Sequence, residues 1–203
     1  MKSRIAIVAA TLVAALGAWG FGTQAQAATS SITFNMVRSS AAVAANCLPN
    51  AAARVRVVTH GQTETMTVTA SGLPRNTGFD LFIIQLPNAP FGVSWYQSDL
   101  QSGSDGTASV TVIGRFSVET FAVAPGAGAA PVVHSGIDAA SNPPFAPIHT
   151  FHVGFWFNTP TDAAAAGCAA TVTPFNGEHN AGVQAMSTRN FPDGQGPLSQ
   201  LNP

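Results

Sequence analysis

The run Glu64-Thr65-Met66-Thr67-Val68-Thr69, with Arg54-Val55-Arg56-Val57-Val58-Thr59 just before it, alternates polar and apolar side chains with a period of two. Successive side chains of a strand point to opposite faces, so each run wets one face and buries the other, as half-buried antiparallel strands do. The next run, Phe79-Asp80-Leu81-Phe82-Ile83-Ile84-Gln85, is apolar at nearly every position, which predicts a strand covered on both faces. It is approached through the turn-rich Gly72-Leu73-Pro74-Arg75-Asn76-Thr77-Gly78.

Working outward, the same pattern predicts strands over Ile32–Val37, Gly92–Gln97, Thr107–Ile113, Ser117–Val123, Pro131–His134, His149–Phe157 and Ala170–Pro174. Asp105-Gly106 carries the signal of a tight hairpin, and Asn176-Gly177 repeats it. Helix is expected only after Thr159, where Thr159 as N-cap, Pro160 in the first turn, Asp162 three residues on from the cap and Gly167 as terminator agree. About nine short strands and one short helix near 160–167 predict an antiparallel β-sandwich, immunoglobulin-like or jelly-roll-like, with a closed β-barrel as the alternative.

Composition narrows the function classes. The 203 residues are 46% hydrophobic and only 8% charged, roughly a third of the usual charged share. That excludes a charge-rich disordered tail and a nucleic-acid binder working through a basic surface. Lys2 and Arg4 precede the apolar run Ile5–Leu16, and Ala25-Gln26-Ala27 supplies a small-x-small cleavage pattern, so residues 1–27 read as a secretory signal. The apolar run is too short for a membrane span, and none is expected in the mature chain. Removing the leader leaves 6 arginines against 9 acids and no lysine. Residues 28–46 read as an N-terminal extension with one strand, and 47–203 as a single sandwich domain with an irregular tail. Export to an oxidising compartment favours a disulfide between Cys47 and Cys168 over a thiol nucleophile.

Thr67-Val68-Thr69-Ala70-Ser71-Gly72-Leu73-Pro74, followed by Phe79-Asp80-Leu81-Phe82, resembles the strand-turn-strand signature of secreted bacterial Ig-like modules, in which the Gly-Leu-Pro element makes a corner between strands. Trp95–Leu100 and Thr173–Asn180 also resemble secreted bacterial proteins of unassigned function. The resemblance implies fold and location, and it carries over no catalytic residues.

Function then rests on individual side chains. Along His149–Phe157, Phe151, Val153, Phe155 and Phe157 would face the core, leaving His152, Gly154 and Trp156 on the other face. A position without a side chain between two flat rings is a shallow slot suited to a sugar ring or another flat ligand, with Trp95 and Tyr96 as a second wall. The bland alternative is a covered Trp156, with Gly154 merely allowing close backbone approach. His149 and His152 reach one metal ion only if His149 lies outside the strand. Glu178-His179-Asn180 is a polar loop cluster in which Glu178 and His179 would serve as an acid-base pair or as two metal ligands, with a third from His60, His134 or His152. A capped turn is the alternative.

No Gly-x-Ser-x-Gly elbow, zinc helix, phosphate loop or dinucleotide fingerprint occurs, and no cofactor is expected. A pair of glycosidase carboxylates among the nine acids stays open, because their separation is a property of the fold. The leading expectation is a secreted, non-catalytic binding protein for a glycan, another extracellular ligand or an exported partner. An extracellular metal-dependent or hydrolytic enzyme using His179 and Glu178, and a structural subunit of an extracellular assembly, are the alternatives.

Overall fold

The computed structural model describes residues 30–61, 63–116, 149–175 and 178–201. The leader expected at 1–27, the strands expected at 117–123 and 131–134, His134 and the turn expected at 176–177 lie outside them.

The period-two runs form β2 (Ala52–His60) and β3 (Thr63–Ser71), whose burial alternates residue by residue. Val55, Val57, Met66 and Val68 are fully buried, while Arg54 and Arg56 point outward. β1 (Ser31–Arg38), β4 (Gly78–Ile84), β5 (Ser94–Gln101), β6 (Ala108–Gly114), β7 (His152–Phe157) and β8 (Gln184–Ser187) complete the sheet, in the order β5-β4-β7-β8-β1-β2-β3-β6. Every pairing is antiparallel. The fold is therefore all-β.

The sheet doubles back along β1. Ser31–Met36 pair with β2, whereas Val37 and Arg38 pair with β8, so one strand belongs to both layers. The segment 28–46 thus carries its expected strand, and pairing sets that strand between the two halves. The edges β5 and β6 come close to each other without pairing, which makes the fold nearly barrel-like. Between the layers, Val55, Val57, Met66 and Val68 meet Phe79, Leu81, Ile83, Val153, Phe155 and Phe157 in one apolar core.

The layers are joined by two stacked corners. Residues 72–77 carry the chain from β3 to β4, as the turn-rich run 72–78 predicts. Gly72, at φ 67°, passes so near Asn50 that a Cβ would lie 2.1 Å from its carbonyl oxygen. Residues 102–107 carry the chain from β5 to β6, which corrects the expected Asp105-Gly106 hairpin. These two strands pair with β4 and β3 respectively, so the turn crosses between layers instead of folding one strand onto the next. The corners interlock: Leu73 N–H donates to Gly106 O at 3.1 Å and Asn76 N–H to Gly103 O at 3.1 Å. Asp105 accepts from the Thr107 N–H at 3.0 Å and the Thr107 hydroxyl at 2.9 Å, which holds its carboxyl below the usual value.

The helix expected after Thr159 is α2 (Pro160–Ala165). The Thr159 hydroxyl oxygen accepts from the Asp162 N–H at 3.1 Å, and Gly167 ends the segment at φ 77°. It leads into Cys168, which is bonded to Cys47 with Cα atoms 5.2 Å apart. A second helix, α1 (Ser40–Ala44), was not expected. Ser39 caps it, accepting from the Ala42 N–H at 3.0 Å, and the alanines that follow favour helix. β8 also escapes a period-two reading because all four of its residues are buried. Ala170–Pro174, expected as a strand, makes only the isolated bridge Thr173↔Ala181, and Val172 is exposed.

Candidate functional site

The outer face of β4 and β5 carries a cleft of varied chemistry. It has a volume of about 830 Å³ and is lined by Asp80, Phe82, Gly92, Ser94, Tyr96, Asp99, Asn158, Pro174, Phe175 and Glu178. Its geometry depends on one irregularity. Tyr96 and Asp99 are three residues apart, so a regular strand would turn them to opposite faces. The register shifts between Leu81 and Phe82, placing Tyr96 opposite Phe82 and Asp99 opposite Asp80. This β-bulge brings both side chains to the same face, where the Tyr96 hydroxyl donates to Asp99 Oδ1 at 2.7 Å.

One half of the cleft is aromatic. Phe82 meets Tyr96 edge-on with ring centroids 5.7 Å apart, and Phe175 lies tilted against Phe82 at 5.0 Å. Beneath them Trp156 is completely buried, contacting Phe82, Phe91 and Phe175 at centroid distances of 4.9 to 5.3 Å. Phe91 is brought over by the β4–β5 connection, which is held where Gln85 Oε1 accepts from the Val93 N–H at 3.1 Å. The bridge Thr173↔Ala181 positions Phe175 on the other side.

The other half is polar. Asp80 is buried, its two carboxylate oxygens facing the Asn158 amide nitrogen at 3.2 and 3.3 Å when that amide is oriented to satisfy both groups. Asp99 and Glu178 are exposed. Burial, the hydrogen bond to Asp99, and the charges of Asp99 and Asp80 together push the Tyr96 phenol up to about 12. It remains a neutral donor at any physiological pH.

The residues expected at a site divide in two. Tyr96 and Glu178 line the cleft. Trp95 lies opposite Ile83 and faces away from Tyr96, half exposed at the sheet edge, so the two do not form one wall. His179 is exposed, sits at φ 56°, and does not join Glu178 in the lining. Among the described residues no three His, Cys, Asp or Glu side chains gather as metal ligands.

The slot expected around Gly154 is filled. A Cβ at Gly154 would lie 2.7 Å from Gln184 Nε2 and 2.9 Å from the Trp156 ring itself, so the missing side chain makes room for packing and not for a ligand. His152 is likewise fully buried. Its Nδ1 pairs with the Thr188 hydroxyl at 2.9 Å and its Nε2 with the carbonyls of Pro192 and Asp193 at 3.2 and 3.0 Å. Burial holds this imidazole below its ordinary pKa against the opposing pull of those carbonyls. His149 does lie outside β7, but its ring stacks on Phe151, and both His152 nitrogens are already engaged, so the two form no chelate.

Asp80, Phe82, Asp99, Asn158 and Phe175 were not anticipated. For Asp80 a signal existed: a lone carboxylate inside a run buried on both faces requires a partner or a task. A second depression, of about 540 Å³, is lined by Asn35–Arg38, Ala51–Arg54 and Thr69–Ser71, and among the described residues no acid and no aromatic ring lines it. No protein-family model matches the chain, and neither does any curated protein or solved structure. Function must be argued from the cleft.

Proposed function

We propose that the protein is a secreted, non-catalytic binding protein whose cleft takes a sugar ring of an extracellular glycan. The observation that carries this reading is the junction of an aromatic wall, Phe82, Tyr96 and Phe175, with a band of hydrogen-bonding groups from Asp80, Asp99, Asn158 and Ser94. A pyranose has an apolar C–H face that packs on aromatic rings and an equatorial rim of hydroxyls that donate to carboxylates. Export is supported by the Cys47–Cys168 bond and by the leader pattern of residues 1–27.

The test is a glycan array probed with residues 28–203, in the native form and with Tyr96→Ala. Tyr96 is 47% exposed, so its removal is expected to leave the circular dichroism spectrum unchanged while abolishing retention. Retention of the variant at native strength, or no glycan bound by the native protein, refutes the reading. One observation favours a hydrolytic role instead: Asp80 and Asp99 face each other across β4 and β5. Release of new reducing ends from a bound oligosaccharide, lost in Asp80→Asn, would establish that role.

A further inference from the structure

Building on the glycan reading, we infer that the cleft selects saccharides bearing a free amine, and that an ammonium group is held between the carboxylates and the aromatic wall. The charged lining is of one sign. Asp80, Asp99 and Glu178 contribute carboxylates, and no Lys, Arg or His lines the cavity among the described residues. In a chain with so few charges, three acids around one cavity set the sign of the local field.

The neutral groups point the same way. The rings of Tyr96 and Phe175, with the buried Phe82 behind them, line the cleft, and aromatic quadrupoles attract cations and repel anions. The Tyr96 hydroxyl gives its proton to Asp99 Oδ1, so it adds no donor that a sugar carboxylate could use. The Asn158 amide nitrogen is similarly directed at Asp80. The cleft is thus rich in acceptors with few donors to spare. An ammonium supplies three donors and a positive charge, a neutral hydroxyl supplies one donor, and a uronate brings only acceptors. The cavity and its aromatic wall define where a ring sits, and the carboxylates decide which substituent it carries.

The ranking that follows is amine above neutral above carboxylate. Three length-matched tetrasaccharides test it by calorimetric titration of residues 28–203: glucosamine, N-acetylglucosamine and galacturonate. At low ionic strength the glucosamine tetramer is expected to bind at least about tenfold more tightly than the acetylated one, with galacturonate weakest. The gap should narrow as salt is added, because Glu178 and Asp99 are exposed and their attraction is screened. Glu178→Gln, on an exposed side chain, and Asp99→Asn should each shrink the ratio of amine to acetyl affinity several-fold. Equal affinity for the amine and acetyl forms, or a gap indifferent to both variants, overturns the charge selection while leaving glycan binding in place. Failure of all three tetramers to bind overturns this inference together with the reading beneath it.

Discussion

Replacing Trp156 separates a packing role from a binding role. The side chain is fully buried and wedged among Phe82, Phe91 and Phe175. A Trp side chain buries on the order of 200 Å². At about 25 cal/mol per Å² its removal forfeits about 5 kcal/mol, in line with the ~3–5 kcal/mol typical of Trp→Ala in cores. Trp156→Ala is therefore expected to lower stability by about 4 kcal/mol. With a urea slope of about 2 kcal/mol per M, the midpoint moves down by about 2 M.

Trp156→Phe should behave differently. The indole Nε1 is buried with no hydrogen-bond partner among the described residues, a desolvation cost of about 1–3 kcal/mol already carried by the native fold. Phenylalanine gives up apolar area but removes that orphan donor, so its net cost should stay within about 1.5 kcal/mol, the range of well-tolerated core swaps. Urea unfolding followed by far-ultraviolet circular dichroism measures both. An alanine variant within about 1 kcal/mol of native refutes the buried placement. A phenylalanine variant as damaging as alanine shows that Nε1 holds a bond in the native state.

Three further outcomes follow. Tyr96 is the only tyrosine in the chain, so the near-ultraviolet absorbance of its phenolate should titrate near 12, and Asp99→Asn should lower that midpoint; a native midpoint near 10 contradicts the Tyr96–Asp99 contact. Because this folded value lies above the unfolded one, the contribution is complete below pH 10 and lost as pH rises from about 10 to 12. His152 is depressed, so its contribution is full above pH 6.5 and declines as pH falls below it; proton NMR should find its imidazole less than half protonated at pH 6.5, and a ring half protonated or more there would contradict its burial. Reducing the Cys47–Cys168 bond, or replacing both cysteines with alanine, should cost about 2–5 kcal/mol, since it opens a loop spanning 121 positions; an unchanged thermal midpoint would show that the bond does not constrain the unfolded chain.

Much of this protein is legible locally. The alternation in 54–59 and 64–69 assigns the faces of β2 and β3, and Phe79–Ile84 is buried on both sides as its continuous apolar run implies. The Thr159 cap, Pro160 and Gly167 bound α2 to within about a residue, because capping depends on neighbours in the chain. The site resisted the same treatment. Strand parity places Trp156 on the non-core face, where it lies, and leaves open whether that face takes a ligand or a cover. What covers that face arrives from Phe91 and Phe175, and no period in 149–157 announces them.

The sequence by itself settled the strand faces of β2–β4, the short helix, the turn over 72–78 and the two cysteines available for pairing, all of which follow from side-chain alternation, turn-forming residues and residue chemistry within a few positions. Tertiary structure alone decided that the sheet folds back along β1, that 102–107 crosses between layers, and that a bulge turns Tyr96 and Asp99 onto one face beside Asp80. Those features depend on register between strands distant in the chain. A one-residue shift in that register reverses which side chains meet, and local pattern carries no record of it.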